Sequence, residues 1–109
     1  ASVMARAAEL LLRDAINTNI ALARPEQRAD FEQRSRMRLE IAQAMELCRH
    51  AVMMVAEASG ASSHLRSNPM QRYLRDVNVM SNHIVYDKDG AAELHGRALI
   101  GLPPNALTF

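Results

Sequence analysis

The chain has 109 residues, 49% of them hydrophobic, 23% charged and 4% aromatic, which suits one domain and excludes an enzyme keeping cofactor and substrate in separate domains. Thirteen Lys and Arg against twelve Asp and Glu leave a formal net charge of +1, without the bias of a nucleic-acid or membrane-surface binder. Single Cys48 excludes a disulfide framework and fits a reducing cytoplasm, and the longest apolar run, Ala51 to Ala56, falls far short of the ~20 residues that span a bilayer.

Four helical segments follow in chain order. The first is expected from Val3 to Ala23, with Ala7, Leu10, Leu11, Ile16 and Ile20 on its apolar face. It opens almost directly after Ala1-Ser2, as though cut at the boundary of a longer polypeptide. Pro25 reads as the first turn of a second helix running to Ser59. The charged half of that helix, Gln27 to Glu40, precedes an almost wholly apolar half, Ile41 to Ala58, expected to be central. There Ala42, Met45, Cys48 or Arg49, Val52, Val55 and Ala56 are expected to be buried. Gly60 stops the helix as a left-handed residue. Beyond a polar loop, Asn68-Pro69 starts a third helix as N-cap and first residue. It carries Met70, Tyr73, Leu74, Val77, Met80 and Ile84 on one side and ends near Tyr86. Asp87 caps a fourth helix through Ala91, Ala92, Leu94, Ala98 and Leu99 to Gly101, and Pro103-Pro104 leads into a tail. The expected fold is all-α, a four-helix up-and-down bundle.

Local chemistry is sparse. His50, His64, His83 and His95 form no His-x-x-x-His or Glu-x-x-His pattern, so no metal site is expected. Glu46 and His50 form an i,i+4 surface pair. Cys48, among apolar residues, reads as a buried and inert thiol. No Gly-rich phosphate loop or nucleophile elbow is present. The stretch Arg24 to Glu40 mixes both signs of charge and reads as a solvated face rather than a nucleic-acid surface. Arg72 and Asp76 pair at i,i+4, with Arg75 pointing elsewhere.

One ordered set of residues is more specific: Gly60-Ala-Ser-Ser-His, then Asn68-Pro69-Met-Gln71-Arg72-Tyr-Leu-Arg75-Asp76, then His83. Together with the ending Asp87-Lys-Asp-Gly-Ala-Ala-Glu93-Leu-His-Gly96-Arg97, it resembles the C-terminal helical domain of two-component flavin-dependent monooxygenases built on the acyl-CoA dehydrogenase fold. The resemblance covers the chain from about Arg34 onward, and the first helix more loosely. It implies a three-domain parent, usually a homotetramer, of which residues 1–109 are the last domain. It also implies reduced flavin (FMN or FAD) from a separate reductase, O₂, and a small aromatic or polyketide substrate to be hydroxylated.

On the same resemblance His83 takes the catalytic position, either removing a phenol proton or hydrogen-bonding the flavin. Ser62 and Ser63 fall beside the flavin phosphate, and Arg72, Arg75 and Asp76 serve structural pairing. Two alternatives remain at this stage. A true acyl-CoA dehydrogenase would commonly carry a Glu-Gly-Thr segment, but Ser81-Asn82-His83-Ile84-Val85-Tyr86 stands in that region. The other is a non-catalytic helical oligomerisation module.

Overall fold

The computed structural model describes residues 1–106, so the end of the expected tail lies outside the described residues. Helices α1 (Ser2–Ala23), α2 (Phe31–Ala58), α3 (Met70–Ser81) and α4 (Lys88–Leu99) account for the fold, with short 3₁₀ turns at Gly60–His64 and Ile84–Tyr86 and no strand among the described residues. The all-α, four-helix expectation holds. At ~1.5 Å per residue, the 28 residues of α2 run most of the molecule's 49 Å long axis. The other three helices pack chiefly on α2, which is therefore central.

Pro25 belongs to the end of α1 rather than the start of α2. The Gln27 N–H donates to the Leu22 carbonyl (2.9 Å) and the Glu26 N–H to Ala23 (3.1 Å), while Glu26 adopts the left-handed region at φ 55°. This is a Schellman stop with a glutamate where glycine is usual. Helix α2 begins later, at a capping box. The Asp30 carboxylate accepts from the Gln33 N–H (2.8 Å) and the Gln33 side chain accepts from the Asp30 N–H (3.0 Å), so two otherwise orphaned donors are satisfied reciprocally.

The buried faces are built largely of alanine. On α1 the packed stripe is Met4, Ala8, Leu11, Ala15, Thr18 and Leu22, alternating steps of four and three. Leu10, Ile16 and Ile20, expected inside, are about half exposed. Helix α2 buries Ser35, Ala42, Ala44, Ala51 and Ala56, small side chains that let neighbours approach closely. Val55 and Cys48 are exposed, because the helices of this chain cover only part of α2; of the Cys48/Arg49 alternatives, Arg49 is the packed one. On α3 the packed residues are Met70, Leu74, Val77 and Ser81, whereas Tyr73 and Met80 face out. On α4 they are Ala91, Leu94, His95 and Ala98, with Ala92 and Leu99 outside. Leu94 is the largest side chain that is almost completely buried, at 1% exposure.

Residues 24–30 join α1 and α2 too tightly for anything but an antiparallel pair. Helix α4 also runs against α2: His95 meets Ser35 near the start of α2, while Lys88 lies near enough to Glu46 to help lower its pKa. Helix α4 starts where expected, with the Asp87 carboxylate accepting from the Gly90 N–H (3.3 Å). It stops at Gly101, φ 77°, where the Leu102 N–H reaches the Arg97 carbonyl (2.8 Å).

Candidate functional site

His83 does not ride on α3. The helix ends at Ser81, Asn82 is its last residue of helical conformation, and His83 is extended at φ −69°, ψ 137°. Two interactions break the periodic continuation expected through Ile84. The His83 carbonyl accepts from the Tyr86 N–H (2.8 Å), and the His83 Nδ1 accepts from the Val85 N–H (3.2 Å). Its imidazole therefore caps the turn that follows it. The Tyr86 ring stands edge-on to the imidazole, centroids 6.0 Å apart at 63°. His83 is exposed, as are Ile84 (75%) and Val85 (44%). Those two aliphatic residues form one wall of an open groove of about 1110 Å³, whose other walls include Ile16, Arg34, Arg38 and Ile41.

Ser62 and Ser63 lie in the 3₁₀ turn at the far end of α3. The Ser62 hydroxyl donates to the Ser59 carbonyl (2.9 Å) and the Ser63 hydroxyl to the Gly60 carbonyl (2.8 Å). Ser63 is walled in at 1% exposure, whereas Ser62 is exposed. Asn68 braces the turn, its side-chain N–H donating to the Ser62 carbonyl (3.1 Å) while its Oδ1 accepts from the Met70 N–H (3.0 Å). That second bond is the expected N-cap. The adjoining cleft, about 310 Å³, is lined by Met53, Glu57, His64 and Leu74 among others. The fit to a phosphate is thus partial: both hydroxyl hydrogens are already committed and a carboxylate lines the cleft, but Ser62 remains accessible. Within one chain the whole of α3, 12 residues or ~18 Å, separates this turn from His83. The structure does not bring the three predicted site residues together.

Arg72 and Asp76 pair at 3.6 Å as expected, but Arg75 also reaches Asp76, at 3.8 Å, rather than pointing away. All three are well exposed, so neither contact contributes much. Glu46 meets His50 at 3.2 Å and Arg49 at 2.7 Å; the hydrogen bond from Arg49 holds the Glu46 carboxyl below its usual range.

A polar cluster escaped the sequence reading. Ser35, fully buried on α2, donates its hydroxyl to the Glu32 carbonyl (3.0 Å) and lies 3.0 Å from His95 Nδ1 on α4. With the hydroxyl hydrogen spent, Nδ1 of His95 is the donor in that contact. One turn along, Glu40 keeps a buried Oε2 with no hydrogen-bond partner. Burial, reinforced by Asp14 on α1, pushes the Glu40 carboxyl up against the opposing pull of Arg36 and His95. No sequence motif links Ser35 to a histidine sixty residues away. Among the described residues no group of three or more His, Cys, Asp or Glu is placed to hold a metal, and no helix is long and apolar enough to cross a membrane.

A long central helix flanked by three helices carries a braced polar turn at one end of α3 and an exposed imidazole at the other. The chain belongs to the acyl-CoA dehydrogenase C-terminal domain family, whose sequence profile matches residues 1–88. It is 39% identical over 99 residues to a pigment production hydroxylase of a Rhodococcus species, covering 91% of this chain and 25% of that protein. It is 34% identical over 101 residues to the oxygenase component of an FADH(2)-dependent resorcinol hydroxylase of a Rhizobium species, covering 90% of this chain and 25% of that protein. Among solved structures, XiaF from a Streptomyces species, in complex with FADH2 and glycerol, superposes with a TM-score of 0.94 at 29% identity, over 99% of this chain and 27% of that one. The chain therefore spans about a quarter of the length of these relatives.

Proposed function

We propose that this chain is the C-terminal helical domain of the oxygenase component of a two-component flavin-dependent hydroxylase acting on a small aromatic or polyketide substrate. The observation that carries the reading is the match of some nine-tenths of the chain to hydroxylases, one of them FADH(2)-dependent. Reduced flavin, delivered by a separate reductase, would supply the electrons that activate O₂. His83 would meet the phenolic oxygen of the substrate, where an imidazole supports the electron-rich phenolate form that oxygenation requires. Ser62 would approach the phosphate end of the flavin, with buried Ser63 and Asn68 holding its turn in shape. Arg72, Arg75 and Asp76 would serve structural pairing.

The parent would be a cytoplasmic three-domain protein working as a homotetramer. Two features support assembly. The described residues leave large apolar side chains outside, among them Val79 (68%) and Ile100 (73%), and His83 and Ser62 sit at opposite ends of α3, as if serving sites completed by other parts of the protein. The test is to supply the full-length protein with reduced flavin, O₂ and a panel of phenols. A hydroxylated product is expected; oxidation of an acyl thioester without hydroxylation would instead make the parent a dehydrogenase.

A further inference from the structure

The residues that follow α4 turn back along it. Pro103-Pro104 fixes φ at two successive positions and has no N–H to bond elsewhere, so the stretch is stiff. Two side chains of α4 grip it. The Arg97 Nε–H donates to the Pro103 carbonyl (2.8 Å), and the Glu93 Oε1 accepts from the Asn105 side-chain N–H (2.8 Å). Glu93 and Arg97 stand four apart on one face of the helix, so residues 103–105 run from the end of α4 towards its start. Neither grip is needed to finish the helix, because the Leu102 N–H already closes onto the Arg97 carbonyl. What the grips achieve is placement. They bring half-buried Ala106 to the open groove, where it shares the lining with Ile84 and Val85 of the turn before α4 and with Ile16 and Ile41.

We propose that Glu93 and Arg97 are positioning residues for this groove: they hold residues 102–106 as one of its walls, and that wall limits the size of the phenol admitted. This rests on the reading of the chain as part of a hydroxylase whose substrate lies beside the turn Ile84–Tyr86. A small organic ligand is held by walls that cover most of its surface, and a groove between α1, α2 and that turn gains a further side from the strap. Ala106 supplies it with a single methyl, which bounds the space without filling it. A wall held by two side-chain contacts on a stiff backbone has one position, and a fixed wall sets a size limit.

The test is the affinity of the full-length protein for a graded series of para-alkylphenols, measured by equilibrium dialysis, with hydroxylation assayed in parallel. Two changes should move the limit in opposite directions. Removing both grips, Glu93→Ala with Arg97→Ala, should weaken the smallest phenols about tenfold and spare or improve the longest. Ala106→Leu should spare the smallest and weaken the longest about tenfold. Glu93→Gln keeps the oxygen that accepts from Asn105 and should retain the unmodified profile. Profiles that do not change in the double variant and in Ala106→Leu would overturn the inference. So would a uniform loss along the series accompanied by a fall in Tm, the mark of a strap that only braces the fold. Opposite shifts in binding without a hydroxylated product from any phenol would uphold the wall and overturn the hydroxylase reading instead.

Discussion

Ser35 on α2 and His95 on α4 are joined by a 3.0 Å hydrogen bond between residues sixty positions apart, and Ser35 is completely buried. Because the Ser35 hydroxyl donates to Glu32, the contact needs the Nδ1–H form of His95 and ties the packing of α4 to one tautomer. Each single substitution, Ser35→Ala or His95→Ala, should cost roughly 0.5–1.5 kcal/mol in urea unfolding. The double variant should fall short of the sum by up to about 1 kcal/mol. Strict additivity would show the contact to be energetically idle.

Glu40 predicts a pH dependence with a definite sign. Its folded-state pKa is raised by burial and by Asp14, against Arg36 and His95. The protonated carboxyl thus favours the folded state, fully so below the unfolded pKa (~4.3), and that contribution is lost as pH rises through the folded value. Glu40→Gln should raise Tm at neutral pH, with the gain vanishing below about pH 4. The 3.6 Å Arg36 contact it removes is half exposed and contributes little in return. A gain that persists undiminished at acid pH would contradict this account.

Leu94 fills the space between α4 and α2 in a core otherwise made mostly of alanine. Leu94→Ala should destabilise the chain by roughly 2–5 kcal/mol, the cost of a buried leucine whose cavity cannot collapse. The neighbouring Leu99, 61% exposed, should tolerate the same change within about 0.5 kcal/mol in the isolated chain. Comparing the two midpoints in urea checks the assignment.

Glu26 sits at the left-handed stop of α1, φ 55°, where an L side chain is strained. Glu26→Gly should stabilise by up to about 1 kcal/mol, after allowing for the entropy glycine adds to the unfolded chain. A loss of stability would mean that the Glu26 side chain holds a contact outweighing the strain.

Helix number and order were legible in the sequence because apolar periodicity and the Gly60, Asn68, Asp87 and Gly101 signals agree with one another. The start of α2 is not legible from Pro25, because proline suits either end of a helix; the Asp30-x-x-Gln33 box is the signal that marks it. His83 looked helical because Met80 and Ile84 are four apart, a spacing that cannot reveal an imidazole bonding to its own following turn. Cys48 looked buried because α2 is apolar nearly all round, yet this chain supplies packing partners for only part of that surface. The flavin-side reading of Ser62 and Ser63 came from family resemblance, and geometry separates the two: one hydroxyl is accessible, the other sealed. The Ser35–His95–Glu40 cluster lay beyond reach because only the fold brings those residues together.

The central claim is that His83 serves hydroxylation. The most direct measurement is the yield of hydroxylated product per reduced flavin oxidised, in the full-length protein with and without His83→Ala, under saturating O₂ and a phenolic substrate. The account predicts that the substitution cuts product per flavin by about tenfold or more while flavin oxidation continues. An unchanged yield would contradict it.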